Sequence, residues 1–339
     1  MATVDLGEAA RVFEEQGFVV IRGLFTQEQV ARVSAAYDEL LIKAAEVLAA
    51  AVAPGQPPLR VTTRLDGTHN VHVEAHGVRF DYQVRRGVTV EEALADPSLD
   101  RTLELLLAAH CGAAHPDLEA LGGGDNPGLL ALATELLSRD VLAKGSPGAA
   151  DEGGTITQII QQAHFKPPLT SCSFPWHQDS TFRRFHHGDF VDVNGRGSYV
   201  NISVAIDPEF REGALGPEAG EHNGPLAVIP GTHTKGHLGG AAGIDHTTVN
   251  GDKAVYPVLQ PGDALAIGPF IIHGSDPNPS PTHWRRSFIF GAAVPGAIQQ
   301  RDDAGDAAAT KASLGMSWMH RRVVPEPGTP CPGTVDHIL

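Results

Sequence analysis

The chain of 339 residues is long enough to bury one large hydrophobic core or two small ones. With 42% hydrophobic and 19% charged residues, its composition is ordinary for a globular protein. The formal net charge of −15 repels polyphosphate and anionic lipid, which argues against nucleic acid and membranes as partners. No apolar run approaches the roughly 18 residues of a membrane-spanning helix.

The cysteines and the first residues predict a cytoplasmic protein. Cys111, Cys172 and Cys331 are too few and too scattered for a disulfide framework, and they fit a reducing compartment. The start, MATVDLGEAARVF, has no basic segment followed by an apolar one, so no secretory signal is expected. The sequence leaves the oligomeric state open, and a homodimer is compatible with it.

The first half of the chain is predicted to be helical with a few strands. LGEAARVFEEQG has apolar residues at helical spacing and ends at Gly17, FVVIRGLF is typical of a strand, and Thr26 with Gln29 indicates a capping box opening a long helix. Two extended pieces follow, LRVTTRL and VRFDYQV. From about 90 to 143 the pattern is again helical, and this region includes LDRTLELLLAAH.

From about residue 155 the hydrophobic period becomes that of strands. The predicted strands are TITQIIQQAHF, SYVNISVAID, PLAVIPGTH, KAVYPVL, DALAIGPFIIH and WRRSFIFGAAV. Turn signals such as NGRG and QPGD separate them, which indicates a β-sandwich or jelly roll. The helices of the first half are expected to pack on one outer face.

We therefore predict a mainly β protein with flanking helices, folded as a single domain over 1–339. Its core is a double-stranded β-helix, the jelly roll that cupins also have. Residues 1–150 supply helical support and the first strands, 151–295 form the core and contain the candidate metal ligands, and 296–339 form a peripheral C-terminal tail.

The candidate metal ligands begin with a histidine and an aspartate two residues apart. This His-any-Asp pattern occurs three times among 17 histidines, at His115/Asp117, His177/Asp179 and His187/Asp189. The first copy lies between an Ala-rich helix and a Gly-rich loop, and the third lies in the loop RRFHHGDF. The first is interpreted as a surface turn and the third as part of a mobile loop, so neither is taken as a metal site.

The middle copy, in FPWHQDSTF, has a different context. In an extended chain residues i and i+2 point to the same side, so His177 and Asp179 are predicted to converge while Gln178 turns away. A further histidine, His273, ends the apolar strand GPFIIH 96 residues later. Two histidines and one carboxylate leave three positions of an octahedral ion open, which is diagnostic of non-haem Fe(II) oxygenases. The open positions accept a chelating co-substrate and O₂, whereas a closed zinc site needs a fourth protein ligand.

Such an oxygenase also needs a cation for the distal carboxylate of 2-oxoglutarate, and arginine binds carboxylates bidentately. HWRRSFIF supplies Arg285 and Arg286 on the strand after the distal histidine, and only one of them can face inward. Arg285, which shares a face with Ser287, is favoured over Arg286. On the strand YVNISVAID, Asn201 lies on a polar face that either lines the cavity and contacts the co-substrate or faces solvent.

Four stretches of the chain resemble the phytanoyl-CoA dioxygenase family of Fe(II)/2-oxoglutarate-dependent oxygenases. They are FEEQGFVVIRGLFTQEQV, HFKPPLTSCSFPWHQDSTF, NGPLAVIPGTHTKGH and LQPGDALAIGPFIIHGSDPNPS. The resemblance implies that His177, Asp179 and His273 bind iron. Because the chain keeps Asp179, where halogenating relatives have a small residue, hydroxylation or a related oxidation is favoured over halogenation.

The resemblance also implies a set of co-substrate contacts and an activity. Arg285 would bind 2-oxoglutarate with Ser275 as a helper, and Gln178 and Lys166 occupy positions of co-substrate or substrate contacts. The expected reaction is oxidation of a C–H bond in a small organic substrate, coupled to decarboxylation of 2-oxoglutarate to succinate and CO₂. Hydroxylation is the first expectation, with desaturation, cyclisation and epoxidation as variants.

The substrate itself is not specified by these motifs. Family members act on acyl-CoA thioesters, amino acids, compatible solutes and natural-product scaffolds. Two other functions are compatible with the residues alone. One is a cupin-like hydrolase or isomerase that uses its metal as a Lewis acid, and the other is a non-catalytic jelly-roll binding module.

Overall fold

The computed structural model describes residues 2–64, 66–99, 101–122, 126–141, 156–184, 192, 197–211, 221–239, 243–294, 297, 321–323 and 328–338. The helices in these ranges are α1 (Leu6–Gln16), α2 (Gln27–Ala51), α3 (Val90–Ala95), α4 (Pro116–Gly122), α5 (Pro127–Val141) and α6 (Asp179–Arg184). The strands are β1 (Phe18–Arg22), β2 (Arg60–Thr63), β3 (His69–Ala75), β4 (Val78–Val84), β5 (Leu103–Ala109), β6 (Ile156–Lys166), β7 (Phe174–His177), β8 (Tyr199–Ala205), β9 (Leu226–Ile229), β10 (Ala264–Ile267), β11 (Ile272–Ser275), β12 (Arg285–Ala293), β13 (Arg321–Val323) and β14 (Thr334–Asp336).

The strands form two antiparallel sheets. The main sheet has the order β14-β1-β10-β8-β12-β6-β5-β4-β3-β2, with β13 beside β6, and the minor sheet has the order β7-β11-β9. Apolar side chains of both sheets, among them Phe18, Leu265 and Val228, belong to one buried cluster. The minor sheet therefore covers the inner face of the main sheet, and the predicted jelly roll with flanking helices is confirmed.

The helices of the first half pack on the outer face of the main sheet, as predicted. Tyr37 of α2 is fully buried, its ring centroid lies 5.0 Å from that of Phe165, and its hydroxyl donates to the carbonyl of Ser287 (2.8 Å). The predicted capping box is present, because Thr26 and Gln29 each bond the other's backbone amide. A cap of this kind contributes about 1 kcal/mol.

Three local predictions differ from the structure. LDRTLELLLAAH contains strand β5 instead of a helix, although Leu, Glu and Ala favour helices, because all seven strand residues are buried between β4 and β6. Strand β3 was not predicted. KAVYPVL, predicted as a strand, makes only two isolated bridges, Val255 with Val228 and Leu259 with Glu209.

The tail beyond residue 296 adds to the main sheet where it is described. β14 pairs with β1 at the sheet edge, and β13 pairs with β6. The division of the chain near residues 150 and 295 stays a prediction. Among the described residues, no helix has the length and apolar composition that crossing a membrane requires.

Candidate metal and co-substrate site

The two predicted histidine ligands meet on the minor sheet. β7 and β11 are antiparallel neighbours, and their register places His273 directly opposite His177. The ring centroids are 4.2 Å apart. Strand pairing therefore brings together two imidazoles that the sequence separates by 96 residues.

Asp179 completes the group by a route that the sequence did not predict. His177 ends β7 and Asp179 is the first residue of α6, so the two do not lie in one extended strand, and that prediction is wrong. Their side chains converge nevertheless, since Oδ1 of Asp179 lies 3.6 Å from Nε2 of His177 and 3.6 Å from Nε2 of His273. The three ligand atoms lie within 4.8 Å of one another, which suits bonds of about 2 Å to one ion.

Backbone carbonyls fix the orientation of both rings. Nδ1 of His177 donates to the carbonyl of Pro175 (2.7 Å), and Nδ1 of His273 donates to that of Ile271 (3.2 Å). Because a carbonyl can only accept, Nδ1 carries the proton in each ring, and the Nε2 lone pairs face Asp179. This is the tautomer that a metal ligand needs.

The protonation states also suit a metal centre. Burial, together with the neighbouring His177, lowers the pKa of His273 to about 4, while Asp179 opposes the shift. Burial alone would raise the pKa of Asp179, but His273, His177 and Asn201 hold it below its usual range. Asn201 does so by donating from Nδ2 to Oδ2 of Asp179 (2.6 Å). At neutral pH the group therefore presents a neutral His273 imidazole and an ionised carboxylate.

The inner face beside this group carries buried polar atoms without hydrogen-bond partners. They are Oγ of Ser287, Oγ of Ser203 and Oδ1 of Asn201. An unsatisfied buried polar atom costs about 1–3 kcal/mol, so such a set indicates a ligand site. Donors next to a guanidinium fit 2-oxoglutarate, which has two carboxylates and a keto oxygen.

Arg285 and Lys166 form the cationic side of this pocket. They lie opposite each other in the β6–β12 pair, and both are buried. Lys166 Nζ donates to Oγ of Ser275 (2.7 Å) and to the carbonyl of Asp276, and burial followed by the charge of Arg285 lowers its pKa. Nε of Arg285 lies 3.2 Å from Oε2 of the buried Glu209, a partner that sequence reasoning missed.

Arg286 points to the other face of β12. It forms an ion pair with Asp207 (2.8 Å) and donates to Ser34 (2.9 Å) and Asp38 (2.8 Å) of α2. Of the two neighbouring arginines, Arg285 is thus the one on the inner face of the main sheet.

Gln178 does not reach this pocket. Its Nε2 donates to the carbonyls of Phe270 (2.6 Å) and Gly236 (3.0 Å), and its Oε1 accepts from the amide of Leu238 (2.7 Å). All these partners are backbone groups, so the side chain holds two loops against β7. The predicted co-substrate contact of Gln178 is therefore not supported.

His164 is a site residue that sequence reasoning missed. It lies two residues before Lys166 on β6, pairs with Ser287 in register, and its ring lies 5.5 Å from that of Phe174. Burial, with the charges of Arg285 and Lys166, lowers its pKa to about 3. The spacing of two from Lys166 within a predicted strand was the available signal.

A cavity of about 260 Å³ adjoins the β7–β11 pair of the minor sheet. Its lining includes Trp176 and Gly274, and also Phe174 and Ser275. Trp176 and Gly274 alternate along β7 and β11 with the two histidines, so they point away from the metal group. The cavity therefore borders the candidate site at Ser275, while the metal group itself lies on the inner face.

A His–Asp–His group on a jelly roll, beside buried cationic side chains, defines the class of non-haem iron, 2-oxoglutarate-dependent oxygenases. The chain belongs to the phytanoyl-CoA dioxygenase (PhyH) family, whose model matches residues 13–287. It is accordingly a non-haem iron enzyme that uses 2-oxoglutarate. No curated protein sequence matches the chain significantly.

Solved structures share the fold at low sequence identity. EvdO2 from Micromonospora carbonacea var. aurantiaca, complexed with 2-oxoglutarate, has a TM-score of 0.50 and 19% identity over 89% of this chain and 96% of its own. The epimerase SnoN, solved with Fe³⁺, alpha ketoglutarate and nogalamycin RO, has a TM-score of 0.51 and 15% identity over 97% of this chain and 98% of its own. EctD from S. alaskensis, solved with 2-oxoglutarate and 5-hydroxyectoine, has a TM-score of 0.50 and 15% identity over 86% of this chain and 77% of its own.

Proposed function

We propose that His177, Asp179 and His273 hold Fe(II) and that Arg285 binds the distal carboxylate of 2-oxoglutarate. The observation that carries this assignment is the convergence of the three ligand atoms within 4.8 Å, on the face where Arg285 is buried. Lys166 acts with Ser275 as the second polar element of the co-substrate pocket. The enzyme hydroxylates a C–H bond of a small organic substrate.

In the overall reaction one oxygen atom of O₂ enters the substrate as a hydroxyl group and the other enters succinate, while CO₂ leaves. Bound iron with 2-oxoglutarate supplies the oxidising power for this chemistry. The protein orients the ligands: the carbonyls of Pro175 and Ile271 fix the imidazole tautomers, and Asn201 fixes the carboxylate. Asp179 fills the position that chloride would occupy in a halogenating enzyme, which supports hydroxylation.

A cytoplasmic location belongs to the same proposal. The three cysteines are free and buried, which agrees with a reducing compartment such as the cytoplasm.

The test is an anaerobic titration of the protein with Fe(II) and 2-oxoglutarate. We expect a weak visible charge-transfer band in the native protein and in the control His337→Ala, which removes an exposed histidine. The normal band should be absent from Asp179→Ala. Admitting O₂ should then release succinate, and a small-molecule screen with mass detection should find a product that has gained one oxygen atom.

An unaltered band in Asp179→Ala would contradict the ligand assignment. A native protein that gives neither the band nor succinate would instead fit the hydrolase or the binding module.

A further inference from the structure

A second polar cluster lies on β2, β3 and β4, at the far edge of the main sheet. The hydroxyl of Thr62 donates to Nε2 of His72 (2.7 Å), and Nδ1 of His72 donates to Oδ1 of Asp81 (2.7 Å). Arg79 binds the same carboxylate through both Nε (2.9 Å) and Nη2 (3.2 Å). Asp81 is thereby held by two side chains in a fixed position.

Two arginine nitrogens in this cluster have no partner. Arg79 is 4% exposed, yet its Nη1 makes no hydrogen bond, and Nη2 of Arg60 is likewise buried and unpaired. Arg60 lies opposite His72 in the β2–β3 register, and its pKa is lowered by burial and by the charge of Arg79. Asp81 is the one carboxylate that makes an ion pair with either arginine among the described residues; Glu74, opposite Arg79, is exposed.

Buried guanidinium nitrogens without acceptors are costly, because a charged donor loses hydration without compensation. The bidentate contact to Asp81 explains how Arg79 is held, but it leaves Nη1 unused. A single carboxylate or phosphate group between Arg60 and Arg79 would satisfy both orphaned donors. In a chain of net charge −15, this local excess of cations is a built feature and not part of a basic surface.

The cluster shares the inner face of the main sheet with the iron site. On β3 and β4, Val71 and Phe80 belong to the core under the helices, so their neighbours His72, Arg79 and Asp81 lie on the inner face. The register continues from Arg79 through Ala109 of β5 to the partly exposed Gln162 of β6.

Distances along the sheet separate the cluster from the co-substrate pocket. β4 and β6 are two strand spacings apart, about 10 Å. Gln162 pairs with Ile289, which lies four residues from Arg285 on β12. At the rise of about 3.3 Å per strand residue, Ile289 and Arg285 are about 13 Å apart. A ligand held by Arg79 is therefore distinct from one held by Arg285.

We propose that Arg60 and Arg79 bind a carboxylate or phosphate group of the substrate whose C–H bond is oxidised at the iron site. The proposal rests on the function proposed above. Arg60 is partly exposed on the edge strand β2, so an anion reaches the cluster from solvent. The substrate class is then a small organic anion whose charged group lies at a distance from the oxidised carbon.

Calorimetric titration of the anaerobic protein, loaded with Fe(II) and saturating 2-oxoglutarate, tests the site. Because saturating 2-oxoglutarate already occupies Arg285, the added anion cannot bind there. Phenyl phosphate and benzoate are titrated separately at constant ionic strength. The one with the higher affinity identifies the class of anion that the site binds. Arg60→Gln is the main variant, because Arg60 makes no hydrogen bond among those observed, and Arg79→Lys keeps the charge that faces Asp81.

We expect one bound anion in the native protein and about tenfold weaker binding in each variant, as loss of a charge-assisted hydrogen bond predicts. The control Arg32→Gln removes an exposed arginine of α2 and should bind as the native protein does. The visible band should be the same in all four proteins.

The proposal is overturned if the native protein binds neither anion, or if Arg60→Gln binds both as tightly as the native protein. Anion binding in a native protein that lacks the visible band would overturn the proposed iron function, and with it the assignment of the anion to an oxygenase substrate.

Discussion

Lys166 on β6 and Arg285 on β12 lie directly opposite each other in the antiparallel pair, and both are buried within the jelly roll. Glu209 lies 3.2 Å from Arg285, and Ser275 accepts a hydrogen bond from Lys166. Burial and the charge of Arg285 lower the pKa of Lys166, which disfavours its charged form. A dianionic co-substrate beside both basic side chains would favour the charged form of Lys166.

Arg285→Gln is expected to weaken 2-oxoglutarate binding about 10- to 100-fold, because charge-assisted hydrogen bonds to the distal carboxylate are lost. The measurement is an anaerobic titration of the Fe(II)-loaded protein followed at the visible band. Arg286→Gln is the matched control on the neighbouring residue. It should bind 2-oxoglutarate normally but lose about 2 kcal/mol of unfolding free energy, since the contacts with Asp207 and α2 disappear. Reversed effects in the two variants would show that the wrong arginine was assigned.

Asn201→Ala is expected to lower Fe(II) affinity about 10- to 100-fold, because Oδ2 of Asp179 loses the donor that holds the carboxylate in place. Fe(II) affinity is measured by competition with a colorimetric chelator under anaerobic conditions. Ser203→Ala on the same strand is the control, since its hydroxyl makes no contact with Asp179 among the described residues and its iron affinity should be unchanged. Equal iron affinity in Asn201→Ala and the native protein would refute this role.

Gln178→Ala is expected to destabilise the fold by about 2–3 kcal/mol, because the carbonyl of Phe270 and the amide of Leu238 lose their partner. Urea unfolding measures the change, with the exposed Gln56→Ala as control. At a temperature where the variant remains folded, its KM for 2-oxoglutarate should match that of the native protein. An increased KM with unchanged stability would restore Gln178 as a co-substrate contact.

His164 is expected to make the metal-free protein less stable as pH falls. Its pKa is about 3 in the folded state, compared with about 6.5 unfolded. Between these values the unfolded chain binds the proton and the folded protein does not, so unfolding is favoured progressively below pH 6.5. The slope for one such group reaches about 1.4 kcal/mol per pH unit.

Urea unfolding at pH 7, 6, 5 and 4 tests this sign. Relative to His164→Gln, the native protein should lose stability more steeply as pH decreases from 6 to 4. The control His337→Gln removes an exposed histidine and should follow the native slope. Parallel curves for His164→Gln and the native protein would mean that His164 is not held neutral by its surroundings.

Local patterns in the chain predicted much of this architecture. The period change near residue 155, the capping box at Thr26 and the alternation around Arg285 depend on neighbours close in sequence, and each agrees with the structure. The residues of β5 were predicted to be helical because Leu and Ala favour helices. Their burial between two neighbouring strands stabilises extended structure instead. For Gln178, sequence shows its position beside the ligands but not the backbone groups that bond its amide.

The sequence by itself determined which side chains are available for iron, their alternation along each strand, and the family to which they belong. Only the tertiary structure decided that His273 pairs with His177, that Glu209 accompanies Arg285, and that Arg60 and Arg79 converge with unpaired nitrogens. The reason is that register between strands distant in the chain is set by packing of the two sheets and the helices around them. No local pattern of residues encodes those contacts.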